Sequence, residues 1–251
     1  IDTSSRNIKY NKNGVLTDFT TTEASTLATV WQSIDSTVDS TKAGCIIRYL
    51  RGEDLSGDAT CKTLSYVQRP RELNIQSFCG INQTKTWKLG DIIHSTPSVV
   101  SDQPVNIYHI KYGDSTYAEF IRQDSYKNRP SLTFVGANDG MLHAFRVGTI
   151  VNQANLEKPS KLQNSPTDTG TDKIGREEWA FIPKNAIPYL IWYGKSDYCH
   201  VPTVDYRTLV VDAKVDGTWK TLLVGAMGFG GKALSSYSSS VFVLDITDPL
   251  N

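Results

Sequence analysis

Two stretches of the chain repeat one another, and the repeat limits the fold more than any other feature. "HSTPSVV", residues 94–100, leads to "SLTFVGANDGMLHAFRV", residues 131–147; "CHVPTVD", residues 199–205, leads to "KTLLVGA", residues 220–226, and then to "SSVFVLDI", residues 239–246. Each runs from His through Pro to Ser or Thr and Val, then to an apolar strand ending in Val-Gly-Ala, a turn and a second apolar strand. Several short antiparallel strands recurring at this scale are the signature of propeller blades. A full ring has about four to eight four-stranded blades, and the material here suffices for about three. The expected fold is therefore mainly β, a partial β-propeller preceded by a short helical and loop segment. An open ring leaves strand edges unpaired, so the chain is expected to be a fragment or to be closed by another element.

The strands are bounded by turn signals. "NDG" at 138–140 and Asp216-Gly217 each sit between apolar runs, where Asn, Asp and Gly tolerate the positive φ a tight hairpin demands. Residues 1–88 have a different character. The first twenty are polar and expected to be extended. A helix is expected from Thr20 to Gly44, with Thr20 and Glu23 as a capping box and Leu27, Val30, Trp31, Ile34 and Val38 as its buried stripe. "CIIRYLRG" is a second short amphipathic segment, and residues 53–88 read as loop. We divide the chain into an N-terminal linker with amphipathic helices and a disulfide-rich loop, residues 1–88, and the first blades, residues 89–251. Within the blades, "STYAEFIRQDSYKN" reads as a helix between strands, residues 152–175 as loop, and "REEWAFIP" as a strand. The chain opens without Met or a leader and closes on "LN" without a capping element, so a removed or external export signal and a continuing chain are both expected.

Twenty-six basic residues balance 26 acidic ones, so no net field favours nucleic acid or an anionic membrane. No apolar run approaches the roughly 20 residues of a membrane span. The four cysteines, Cys45, Cys61, Cys79 and Cys199, lack C-x-x-C spacing, which fits disulfides in an exported protein better than zinc or thioredoxin chemistry. Cys61–Cys79 with Cys45–Cys199 is the preferred pairing, although four cysteines allow three connectivities. His143 lies between apolar neighbours on a strand, with no second ligand at metal spacing, and reads as a histidine hydrogen-bonded within a blade. "GAMGFGGKA" fails as a phosphate loop because Gly231 stands where Lys is required and Ala233 follows Lys232. Its residues Gly228, Phe229, Gly230, Gly231 and Lys232 are instead a candidate contact loop. Arg51-Gly52-Glu53 reads as a helix end. Asp205, Asp212 and Asp216 lack the order of a calcium loop and read as solvated carboxylates. No nucleophile or metal-hydrolase motif is present, so no catalytic, cofactor or metal residue is assigned.

Six blocks occur in one order: "RYLRGED", "LGDIIHSTPSVV", "RPSLTFVGANDGMLHAF", "EEWAFIP", "WKTLLVGAMGFGGKA" and "VFVLDITDP". Together they resemble the propeller domain of PilC/PilY-type proteins, which act at type IV pilus tips, over about residues 45–251. The resemblance implies a quinoprotein-like propeller in an exported protein at the cell surface, pilus tip or outer membrane. It implies no enzyme activity, support of pilus assembly, opposition to retraction, and adhesion to surfaces or host cells. The implied partners are minor pilins or the pilus tip, and a surface or host receptor. In relatives a calcium loop lies beyond the block matching "VFVLDITDP", so calcium is expected only in a longer chain. Two other readings compete. A quinone-dependent dehydrogenase would share the propeller but should carry adjacent cysteines and Gly-Lys-x-x-Trp repeats, and neither occurs. A generic extracellular binding propeller unrelated to pili is the other.

Overall fold

The computed structural model describes residues 2–75, 83–228 and 239–250. Strand β1 (Ile8–Lys12) turns into β2 (Val15–Asp18) through Asn13 and Gly14, both at positive φ. This is the Asn-Gly hairpin that follows from the Asn-Gly dipeptide, inside the stretch expected to be merely extended. The helix expected over 20–44 ends early, as α1 (Ala24–Trp31), and its last residues join the second expected segment, "CIIRYLRG", in α2 (Ser40–Leu50). Asp35 and Asp39 explain the break. The Asp35 carboxylate accepts the Thr37 amide and Asp39 accepts the Lys42 amide, so short polar side chains replace helical bonds and restart the helix. The expected capping box does not form. Glu23 is held by the Tyr10 hydroxyl and Lys12, each at 2.7 Å. Leu27 and Trp31 of α1 do face inward, Val38 is buried in the break before α2, and Trp31 Nε1 donates to Ile187 O.

The expected loop 53–88 contains a small hairpin, β3 (Glu72–Ile75) with β4 (Gln83–Thr86). A disulfide joins Cys45 to Cys61 with the α-carbons 5.6 Å apart. This corrects the expected Cys61–Cys79 and Cys45–Cys199 pairing. The reason is local: Asp58 accepts the Thr60 and Cys61 amides and pairs with Arg48 of α2, folding Cys61 back onto the buried Cys45. Cys199 is exposed and has no disulfide partner among the described residues. Cys79 lies outside them.

Two antiparallel meanders follow. The first consists of β5 (Ser98–Val100), β6 (Leu132–Gly136), β7 (Leu142–Arg146) and, after an excursion, a strand over Glu177–Ile182. Between β5 and β6 come three short helices, α3 (Tyr108–Lys111), α4 (Ser115–Arg122) and α5 (Asp124–Lys127); the one helix expected over "STYAEFIRQDSYKN" is the last two, broken at the extended Gln123. The excursion after β7 is not wholly loop, since β8 (Thr149–Asn152) pairs with β9 (Ser160–Gln163). Strand β10 (Glu177–Ile182) then packs antiparallel on β7, and β1 adds to its other edge in parallel. The second meander is β11 (Leu209–Val215), β12 (Thr218–Ala226) and β13 (Val241–Asp245). Its β11–β12 turn places Asp216 and Gly217 at positive φ, as expected.

The chain is thus mainly β and forms part of a propeller. Among the described residues it holds one four-stranded and one three-stranded meander, rather than about three blades. The two small hairpins pair only with themselves. Residues 1–88 share one apolar core with the meanders: Ile8, Trp31 and Ile47 belong with Phe134, Leu142, Ile182 and Leu223. Arg51 fixes the first residues by donating to the carbonyls of Thr3, Ser4, Arg6 and Phe19.

Candidate functional site at the blade junction

The two sequence repeats meet face to face. The backbone amides of Ile93, His94 and Ser95 converge on the carboxylate of Asp205 at 2.8–3.1 Å, a nest for an anion. Asn138 Nδ2 donates to the same carboxylate and to Asp91, while its Oδ1 accepts the Thr203 amide. The histidines of the repeats are exchanged. His94 lies 3.4 Å from Asp205, and His200 lies 2.9 Å from Asp91. Burial would raise the Asp205 carboxyl, but the His94, Ser95 and Ile93 amides outweigh it and hold Asp205 below its ordinary value. Asp205 is therefore a buried structural anion, not the solvated carboxylate that its spacing suggested. Gly136 at the end of β6 completes the fit: a β-carbon there would lie 1.8 Å from the Val204 carbonyl oxygen.

The "NDG" turn serves this junction in an unexpected way. Gly140 has φ +87°, but Asn138 and Asp139 keep negative φ, and the Ala137 amide bonds to the Met141 carbonyl. The turn is therefore a three-residue loop closed by a left-handed glycine. Its two polar side chains point inward, Asn138 to the second repeat and Asp139 to His143.

His143 is completely buried, and both ring nitrogens are taken. Nδ1 is 2.7 Å from Glu177 Oε1, and Nε2 is 3.1 Å from both oxygens of Asp139. Arg6 forms a fork on Glu177 at 2.7 and 2.8 Å, and the Gly90 amide closes the chain on Asp139 at 2.9 Å. A β-bulge makes this possible. Register slips between Glu177 and Trp179, so consecutive glutamates both reach buried cations, Glu177 with Arg6 and Glu178 with Arg146. Burial opposes a charged imidazole, yet Asp139 and Glu177 raise His143 from 6.5 to about 9. Burial likewise opposes ionised Glu177, but Arg6 and His143 lower it from 4.5 to about 2. The imidazolium is a fixed cation with no free nitrogen for proton transfer to a ligand. His143 is hydrogen-bonded within a blade, as expected, although with two carboxylates that linear spacing around it did not reveal. The signal was Asp139, four residues earlier in the turn; nothing in the sequence marks Arg6 or Glu177 as its partners.

This network floors an open cleft of about 1050 Å³ whose rim carries Lys88, Asp172, Arg176 and Glu178. The charges around it are mixed. Of the candidate contact loop, Gly228 is described: its amide donates to the Thr203 carbonyl at 3.2 Å, beside the junction. Phe229, Gly230, Gly231 and Lys232 lie outside the described residues. Asp212, on β11, is buried as well; the hydroxyls of Tyr117, Tyr126 and Thr221 all donate to it at 2.6–2.8 Å. That too corrects a solvated reading, and the clue was a lone carboxylate within "LVVDAKV". Among the described residues no group of three or more His, Cys, Asp or Glu is placed to hold a metal ion.

Comparison with known proteins places these features in a family. The model of the PilY1 beta-propeller domain matches residues 89–249. A type IV pilus biogenesis factor PilY1 homolog of Xylella fastidiosa is 32% identical over 207 residues, which are 80% of this chain and 14% of that protein. PilY1 of Pseudomonas aeruginosa strain PAO1 is 32% identical over 174 residues, 67% of this chain and 12% of that protein. The chain therefore spans about an eighth of the length of these relatives. Among solved structures, the C-terminal domain of Pseudomonas aeruginosa PilY1 is 27% identical with a TM-score of 0.36, covering 61% of this chain and 23% of that one. The chain belongs to the PilY1 β-propeller domain family.

Proposed function

We propose that the chain is the propeller portion of an exported, non-enzymatic type IV pilus biogenesis factor. It supports pilus assembly, opposes retraction and promotes adhesion at the pilus tip, with minor pilins as its first partners. The observation that carries this reading is the family match over residues 89–249, which takes in both repeats and the junction between them. The geometry supports a binding role. Buried anions and cations at the junction are satisfied internally, leaving a rigid pair of meanders that presents loops rather than reactive groups. No helix among the described residues is long and apolar enough to cross a membrane. The test is a count of surface pili by electron microscopy in cells lacking the gene, with and without a complementing copy. Loss of pili restored by the copy is expected. Unchanged pili would remove the assembly role and leave adhesion to be assayed separately.

A further inference from the structure

A second cleft, of about 270 Å³, opens beside α2 and the β3–β4 hairpin. Two arginines enter it on a bed of tyrosines. The Arg71 guanidinium carbon is 4.2 Å from the Tyr49 ring centroid and 5.4 Å from that of Tyr193, and Arg69 stands 5.2 Å from Tyr193 and 4.9 Å from Tyr198. Trp87 forms a wall and is 56% exposed. Arg71 is only 4% exposed. Its Nη1 donates to the Trp87 carbonyl, and its Nε is buried without a partner.

Arg6, Arg48 and Arg146 each meet a carboxylate within 3 Å, whereas among the described residues no carboxylate forms an ion pair with Arg69 or Arg71. Arg51 and Arg129 are also buried without an ion pair among the described residues and donate to carbonyl and hydroxyl oxygens instead; Arg69 and Arg71 differ in lining a cleft. The neighbouring Asp54 accepts the Arg71 backbone amide and the Ser56 amide and hydroxyl. Burying a cation without a counter-charge is costly, and placing a second one beside it adds repulsion. Cation–π contact offsets part of this. It also leaves the Arg71 Nε–H and the exposed Arg69 side chain as donors for an oxyanion. The volume holds one ring-sized group, below the usual span of about 300–1000 Å³ for larger ligands, and the exposed indole face supplies an apolar platform for a sugar ring.

We propose that this cleft binds one acidic monosaccharide unit, with its oxyanion on Arg69 and Arg71 and its ring on Trp87. Such units occur as uronates, carrying a carboxylate, or as sulfated sugars. Saturation-transfer NMR and calorimetry on the purified protein, with glucuronate, glucose 6-sulfate, glucose, acetate and inorganic sulfate, test it. Glucuronate or glucose 6-sulfate should bind, the tighter of the two naming the oxyanion, and glucose should bind at least about tenfold more weakly. Arg69→Gln, at an exposed position that leaves the fold intact, and Trp87→Ala should each weaken the acidic sugar about tenfold or more. Failure of both acidic sugars to bind would overturn the proposal. So would affinity unchanged in both variants, or acetate and sulfate binding as tightly as the sugars, which would reduce the cleft to a bare anion site.

Discussion

Strands β7 and β11 each bury one polar side chain completely, and they satisfy it in opposite ways. His143 on β7 is a cation between two carboxylates, with Arg6 of the N-terminal segment beyond them. Asp212 on β11 is an anion among hydroxyls, with Arg129 one step farther out, bonded to Thr221 and stacked 3.6 Å from the Tyr126 centroid. The charged network ties residues 1–88 to the first meander, and its removal from one side strands charge. The hydroxyl network fastens the α4–α5 insertion to the second meander, and its bonds can be lost one at a time. Buried polar groups in one fold thus set two kinds of sensitivity, one abrupt and one graded.

The largest effect should come from His143→Ala. It leaves Asp139 and Glu177 buried without their shared cation, and the expected loss is about 3–5 kcal/mol, read from urea unfolding of the two proteins. A loss below about 1 kcal/mol, the value of a single neutral hydrogen bond, would mean that water replaces the imidazole and that the contrast with Asp212 is false. Gly136→Ala should follow at about 1–3 kcal/mol, the usual range for overpacking, because its β-carbon would meet the Val204 carbonyl. If that variant keeps full stability, the two repeats are not held as closely as the amide nest on Asp205 requires.

The contrast also predicts how stability changes with pH. His143 is raised from 6.5 to about 9, so its contribution is complete below 6.5 and lost as pH rises through 9. Glu177 is lowered from 4.5 to about 2, so its contribution is complete above 4.5 and lost as pH falls through 2. The difference in Tm between the unaltered protein and His143→Gln should therefore be widest between pH 4.5 and 6.5 and shrink toward pH 9. The same comparison for Tyr117→Phe should stay level over that range, since burial and Asp212 push the Tyr117 hydroxyl to titrate well above it. Parallel curves for the two variants would dissolve the distinction.

The sequence made the strands legible because their signals are local. Val-Gly-Ala endings, the Asp-Gly turn and alternating apolar runs depend on neighbours a few residues apart. The partners of buried polar groups were not legible, because they join distant positions: Arg6 to Glu177, Ile93 to Asp205, Tyr117 to Asp212. Asp205 and Asp212 looked solvated for the same reason, since a carboxylate in a strand shows its hydroxyl or amide partners only once the sheets are stacked. The disulfide was misassigned because the turn that returns Cys61 to α2 is set by Asp58 and Arg48 rather than by loop length. The Arg69 and Arg71 cleft is built from four separate segments, and no one of them is unusual by itself.

The smallest effects belong to the hydroxyls around Asp212, and they show most directly whether that network is graded. Tyr117 and Tyr126 both donate to the same oxygen, Oδ2, at 2.7 and 2.8 Å, while Thr221 serves Oδ1. Tyr126→Phe or Tyr117→Phe alone should cost about 1 kcal/mol, because the other hydroxyl still covers Oδ2. The double variant strips Oδ2 of both hydroxyls, so its cost should exceed the sum of the singles by about 1 kcal/mol, the coupling expected of side chains that share a partner. A double-mutant cycle by urea unfolding measures this. Strict additivity would mean that water enters beside Asp212 as soon as one hydroxyl leaves, and the network would then not be graded through a shared oxygen.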